Sequence, residues 1–261
     1  MLNREDVAMG YSVNANKIRK LRRLCQHVEN WPRTLLDHLK ITKKEYICKM
    51  KNGLKLRVRG GSDDRHIVFE VLVQGIYPVK IASGDVVVDV GAQIGCFAIW
   101  AAHQGAHVFA FEPFPENFKA LKANVAMNGL KNVEALPYAV AATSGTRRML
   151  LPTDPSHSGR YSLYRGTADQ AVDVASISLD DFLCEHELDH VDLVKLDCQG
   201  SEYEIVYGLR ADTLAKIRCL VVECERFDQP EAWSVEALGR FLSERGFGVH
   251  IDGGICLARR G

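Results

Sequence analysis

The chain has 261 residues, and its composition, 47% hydrophobic and 25% charged with 21 Gly and 8 Pro, is that of a folded globule rather than a disordered or fibrous protein. That length exceeds a disulfide-stapled scaffold and suits one large α/β domain with an appendage. Formal net charge is zero, yet the signs are segregated: residues 1–60 carry 15 Lys and Arg against 5 Asp and Glu, and the remaining 201 carry 18 against 28.

The basic run Lys17, Arg19, Lys20, Arg22 and Arg23 reads as the wet face of a helix. A basic segment packing on an oppositely charged body is preferred to an anionic partner or a membrane surface; against a neighbour's acidic body it offers a route to a homo-oligomer. With no aromatic-rich RNA-binding signature or helix-turn-helix pattern, no nucleic-acid partner is expected. The eight cysteines form no C-x-x-C pair and have no His at zinc spacing, so neither a disulfide framework nor a structural metal is expected, which fits a cytoplasmic protein. Residues 1–30 lack the apolar centre of a leader peptide.

In chain order, residues 14–40 have a helical pattern that Pro32 should end or kink. Tyr46 to Met50 and Leu54 to Arg59 flank Asn52-Gly53, a strong hairpin signal. Residues 1–80 are therefore expected to form an N-terminal basic cap of helices and a hairpin, and 81–261 the main domain. From Gly84 strand and helix alternate: Asp85 to Val90 strand, Ile94 to His103 helix, Ala106 to Phe111 strand, Pro115 to Asn128 helix, then strands at Val133 to Val140, Val191 to Leu196 and Cys219 to Glu223. Helices are expected at Ser201 to Leu209 and Trp233 to Arg245. The most apolar stretch, 86–102, is interrupted by Asp89, Gly91, Gln93 and Gly95, so it reads as strand, turn and helix rather than a membrane span. Phe247 to Ile251 and Ile255 to Ala258, around Asp252-Gly253-Gly254, read as a closing antiparallel hairpin. The alternation implies an α/β fold with a mostly parallel sheet whose ligands gather at the strands' carboxyl ends.

The first strand ends in Val88-Asp89-Val90-Gly91-Ala92-Gln93-Ile94-Gly95, a glycine turn that opens a helix. Such a turn lets backbone approach a ligand, although a tight turn with no ligand accounts for it equally well. The next strand ends in Glu112-Pro113, 21 residues past Gly91, where an acid grips a ribose diol in dinucleotide folds. Gln93 occupies the second glycine position of a dinucleotide fingerprint, which disfavours a pyrophosphate and leaves S-adenosylmethionine as the better adenosine ligand.

These stretches resemble the FkbM-type S-adenosylmethionine-dependent methyltransferases. The likeness rests on Gly84 to Gly95, on Phe111-Glu112-Pro113-Phe114-Pro115-Glu116-Asn117 with Leu121, Asn124 and Asn128, on Ser178-Leu179-Asp180-Asp181-Phe182, and on Val191 to Glu202. It departs from the family's usual pattern at Gln93, where Asn is usual, and at Cys198-Gln199, where Val-Glu is usual. The resemblance implies a class I methyltransferase Rossmann-like sheet and methyl transfer from S-adenosylmethionine to a hydroxyl on a sugar, polyketide or related small metabolite. Around the cofactor it points to Asp89, Gly91, Ala92 and Gly95 near the methionyl part, Glu112 with Pro113 at the ribose, and Ala139 and Val140 near the adenine.

For the chemistry, Asp197 at the end of the fourth strand is the first candidate base and Glu202 the second, with a helix-dipole role as plausible for Glu202. Glu223, ending the fifth strand, completes the crevice carboxylates, and no metal site is expected because no further Asp or Asn stands beside it or Asp197. The long connection Thr143 to Ser176 is a candidate substrate wall, in which His157 is a third candidate base and Arg160 or Arg165 an anion holder, against a plain hairpin at the sheet edge. Two alternatives stand beside methyl transfer: a cofactor-binding module that has lost catalysis, suggested by Gln199, and a nicotinamide oxidoreductase, disfavoured by Gln93 and the closing hairpin.

Overall fold

A computed structural model describes residues 18–153, 161–164, 167–225 and 232–261. The chain divides into two compact units between Ile76 and Tyr77. The sequence reading placed this division at residue 80.

In the first unit, helix α1 (18–27) stops where Val28 bridges to Met50. Helix α2 (Trp31–His38) follows with Pro32 in its first turn. Proline is tolerated there because that amide has no intrahelical acceptor, so Pro32 starts the second helix rather than ending the first. Strands β1 (Tyr46–Lys49) and β2 (Lys55–Val58) pair antiparallel around Gly53, which has φ +94°, and they bury alternate side chains. Helix α3 (Asp64–Val68) runs into one π-helical segment, Phe69–Gln74, ended by Gly75 in the left-handed conformation; the sequence reading had no element here.

The second unit starts its sheet at β3 (Val86–Val90), followed by α4 (Cys96–His103), β4 (His107–Phe111), α5 (Pro115–Met127) and β5 (Val133–Leu136). Then come β6 (Ala139–Val140), β7 (Gly145–Leu151), β8 (Thr167–Ile177), α6 (Leu179–Glu185), β9 (Leu193–Leu196), α7 (Glu202–Gly208) and α8 (Ala211–Lys216). Strand β10 (Cys219–Glu223), α9 (Val235–Ser243), β11 (Gly248–Asp252) and β12 (Ile255–Arg259) complete it.

Among the described residues, the main sheet has the order β11-β12-β10-β9-β3-β4-β5, with the five strands from β10 to β5 parallel and β12 antiparallel to both neighbours. The α/β sheet closed by a C-terminal hairpin is thus present. Strand β9 is buried along its whole length, and β3 and β10 are buried at all but one end residue, as strands covered on both faces must be. Val88, Val90, Phe111, Leu196 and Val222 meet Phe182, Tyr203 and Leu238 in one core. Chain order reverses between β3 and β9, and that switch point opens a crevice at the strands' carboxyl ends.

The expected strand Val133 to Val140 is two strands. Pro137 has no amide to donate, so β5 ends at Leu136, and β6 pairs instead with β8 in a second sheet of order β6-β8-β7. The long connection expected at Thr143 to Ser176 forms this sheet's β7–β8 antiparallel pair, while His157, Arg160 and Arg165 lie outside the described residues. No helix among the described residues is long and apolar enough to cross a membrane.

Candidate functional site

At the switch point, the carbonyl of Asp197 comes so near the turn after β3 that a Cβ on Gly91 would sit 1.9 Å from it, and Gly91 has φ +76°. Gly91 is therefore demanded first by the approach of two strand ends. Gly95 likewise yields to packing, since a Cβ there would meet Leu121 at 2.5 Å. Between them Gln93 takes a left-handed φ of +51°, and its side-chain oxygen accepts the Ile94 amide at 2.8 Å. Asn124 donates to the Ile94 carbonyl at 2.9 Å, tying this turn to α5.

Beneath the turn Asp89 and Lys195, on adjacent strands, are sealed from solvent with Nζ 3.0 Å from Oδ1. The ammonium also donates to the Gly91 carbonyl at 3.2 Å and lies 3.7 Å from Asp197 Oδ2. Burial alone would lower its pKa, but Asp89 and Asp197 outweigh that and raise it, so Lys195 stays charged.

Glu112 closes β4 with both oxygens engaged: Oε2 accepts the Gln93 amide and Oε1 the Phe114 amide, each at 2.9 Å, with a further hydrogen bond from Asn117. Burial pushes its pKa up to about 7 despite these bonds. Each oxygen keeps lone-pair capacity.

After β9 the backbone turns through Gln199 at φ +61° and Gly200 at φ +122°. Glu202 clamps this turn, Oε1 accepting the Cys198 amide and Oε2 the Gly200 amide, both at 2.8 Å. It is wholly buried, and burial raises its pKa to about 7. The second candidate base thus faces its own loop. Asp197 is partly exposed; its Oδ1 accepts from Gln199 Nε2 at 3.2 Å, and its Oδ2 lies 2.8 Å from the Tyr77 hydroxyl. The same hydroxyl is 2.9 Å from Glu223 Oε2.

These groups surround an open cleft of about 530 Å³, partly continuous with solvent. Gly91, Gln93, Glu112, Pro113 and Asn117 line one part, Tyr138, Ala139, Val140, Met149 and Leu163 an apolar part, and Asp197, Cys198, Gln199 and Ser201 a third. Tyr161 also lines it and stacks on Phe114 with ring centroids 3.8 Å apart, so Tyr161 and Leu163 supply a wall. Of the expected cofactor residues, Gly91, Glu112, Pro113, Ala139 and Val140 line the cleft; Asp89, Ala92 and Gly95 stand behind it. Sequence reasoning missed Tyr77 and gave Asn117, Tyr161 and Lys195 no role of their own.

S-adenosylmethionine fits this donor set: a buried carboxylate with spare lone pairs for a diol and apolar walls for a purine.

A family model described as a methyltransferase FkbM domain matches residues 89–249. The 31-O-demethyl-FK506 methyltransferase FkbM of Streptomyces tacrolimicus is 27% identical over 213 residues, 69% of this chain and 82% of that protein. Methyltransferase sdnD of Sordaria araneosa is 30% identical over 217 residues, 70% of this chain and 82% of its own. Among solved structures, precorrin-6y C5,15-methyltransferase from Geobacter metallireducens GS-15 is similar at 14% identity and a TM-score of 0.43, over 70% of this chain and 83% of that one. With the domain match spanning more than half of its length, the chain is a methyltransferase and belongs to the FkbM family.

Proposed function

We propose that this methyltransferase moves a methyl group from S-adenosylmethionine to a hydroxyl on a small metabolite. The carrying observation is that Glu112 and Asp197 line one cleft with Gly91, a buried carboxylate suited to a ribose and a partly exposed one suited to an acceptor. The name of the Streptomyces relative, which specifies an O-methyl position, supports oxygen as the acceptor atom.

When bound, S-adenosylmethionine supplies a methyl group already activated by its sulfonium. Glu112 accepts the ribose hydroxyls, its two oxygens aimed by the Gln93 and Phe114 amides. Pro113 stiffens the chain beside it. The Gly91 backbone borders the methionyl part, backed by Ala92, Gly95 and the Asp89–Lys195 pair. Ala139, Val140 and Met149 cover the purine. Asp197 would orient the acceptor hydroxyl and take its proton at Oδ1. Alignment is worth about 7–11 kcal/mol and the base about 10²- to 10⁴-fold, so positioning dominates.

Titration calorimetry with S-adenosylmethionine and with NAD separates this reading from an oxidoreductase: the expected result is binding of the former at about micromolar Kd, and binding of NAD alone overturns it. Release of S-adenosylhomocysteine from a panel of hydroxylated sugars and polyketides tests transfer. A cofactor that binds and is never consumed by any of them favours the non-catalytic module.

A further inference from the structure

The first unit holds an open cavity of its own, about 420 Å³ in volume, which is a usual size for a small-molecule site. Leu21 and Leu24 from α1, Leu35 and Leu39 from α2 and its end, and Phe69 from the π-helical segment form its apolar wall. Leu21 and Leu39 line it while remaining 39% and 57% exposed, so apolar surface there is left in water. Lys20, His38, Arg65 and His66 complete the lining with Thr34, and no Asp or Glu among the described residues joins them.

The basic groups form one cluster. Arg65 Nη2 donates to His66 Nε2 at 3.2 Å, and the His38 and His66 rings meet edge-to-face with centroids 5.9 Å apart. Arginine can only donate, so Nε2 is the acceptor and the hydrogen of the His66 ring sits on Nδ1. Partial burial, followed by the Arg65 charge, holds both histidines below their ordinary value. They are therefore uncharged at neutral pH, and the charges that line the cavity are Lys20 and Arg65. Lys20 acts on both rings in the same sense as Arg65, while Asp37 on His38 and Asp63 on His66 oppose it from outside the lining. Arg65 is anchored from behind: Nη1 donates to the Ser62 carbonyl at 2.7 Å and lies 3.8 Å from Asp37 Oδ2, and Nε has no hydrogen-bond partner among the described residues.

We propose that this cavity binds an apolar carboxylate of the medium-chain fatty-acid kind, its hydrocarbon laid on Leu21, Leu39 and Phe69 and its charged end at Lys20 and Arg65. The cations stand in a lining that is otherwise apolar and free of carboxylates, which calls for a ligand with a negative end and an apolar body. Asp37 beside Arg65 offsets part of the positive charge, so one negative charge suits the site better than two. No residue of this lining belongs to the methyl-transfer cleft, so binding here needs neither the methyl donor nor its acceptor.

Titration calorimetry of the full chain at about pH 7.5, where the histidines are uncharged, tests this with decanoate, decanol, acetate and decyl phosphate. Decanoate should bind with a micromolar Kd. Decanol, which lacks the charge, should bind at least about tenfold more weakly, and acetate, which lacks the apolar body, should not bind. Decanol that binds as tightly as decanoate, or decanoate that gives no binding up to about 1 mM, overturns the proposal. Decyl phosphate that binds about tenfold more tightly than decanoate overturns the choice of a single negative charge. Lys20→Gln and Leu39→Glu each replace an exposed side chain, so the fold should be kept. Lys20→Gln should weaken decanoate about threefold or more, and Leu39→Glu about tenfold or more by setting a like charge beside the ligand. Unchanged affinity in both variants would place the ligand elsewhere and overturn the site.

Discussion

Lys195 Nζ lies 3.0 Å from Asp89 Oδ1, with both side chains closed off from solvent on neighbouring parallel strands. The pair sits directly under the turn that carries Gly91 and ties that turn to β9 through the Gly91 carbonyl. Removing one partner leaves the other charge buried and uncompensated. Lys195→Met is therefore expected to cost about 3–5 kcal/mol in urea unfolding. The double variant Asp89→Leu with Lys195→Met should recover part of that loss, because no orphaned charge remains. A single variant with wild-type stability would show that the pair contributes nothing.

Gly91 and Gly53 both have positive φ, but they differ in what surrounds them. A Cβ at Gly91 would overlap the Asp197 carbonyl, whereas nothing lies within 4 Å of one at Gly53. Gly91→Ala combines backbone strain with overpacking and should cost about 2–5 kcal/mol. Gly53→Ala carries the strain alone, at about 1 kcal/mol. The order of the two urea midpoints checks this, and equal losses would mean that the strand ends are free to separate.

That contrast also marks where the sequence was readable. The β3 and β4 strands, the Asn52-Gly53 hairpin and the terminal hairpin carry period-two or continuous apolar runs bounded by turn residues, and each stands where the pattern put it. Glu112 was legible at its fixed spacing from Gly91. The π-helical segment 69–74 was not, since no periodicity separates it from a loop. Tyr77 lies 120 residues from Asp197 along the chain, and only the sheet's closure brings them together. The packing of Gly91 against the end of β9, more than a hundred positions on, was hidden for the same reason.

Glu112 and Glu202 give the protein a pH dependence opposite to that of ordinary ion-paired carboxylates. Burial raises both to about 7 from 4.5, so between those values the native state retains protons that the unfolded chain has released. Stability therefore falls as pH rises through this window, by about 3 kcal/mol for each group. Urea midpoints at about pH 5 and about pH 8 should show the higher stability at the acid end. Glu112→Gln should remove roughly half of the slope. A midpoint that rises with pH would mean that the amide hydrogen bonds, rather than burial, set these values.

Asp197 and Glu202 stand five positions apart and separate cleanly by what their oxygens touch. Both oxygens of Glu202 accept amides of its own loop, so a glutamine there supplies one acceptor where two are needed and orphans one amide. Glu202→Gln is expected to lose about 1–3 kcal/mol of stability, with kcat changed less than in Asp197→Asn at temperatures where the variant stays folded. Asp197 is partly exposed at the cleft, and its oxygens meet the Tyr77 hydroxyl and the Gln199 side-chain amide. Asp197→Asn should lower kcat by about 10²- to 10⁴-fold, while calorimetry should show nearly unchanged affinity for S-adenosylmethionine, because the proposed mechanism gives the donor to Glu112 rather than Asp197. The reverse pattern, with kcat lost in folded Glu202→Gln and kept in Asp197→Asn, would move the base to Glu202 and require the loop after β9 to open before transfer.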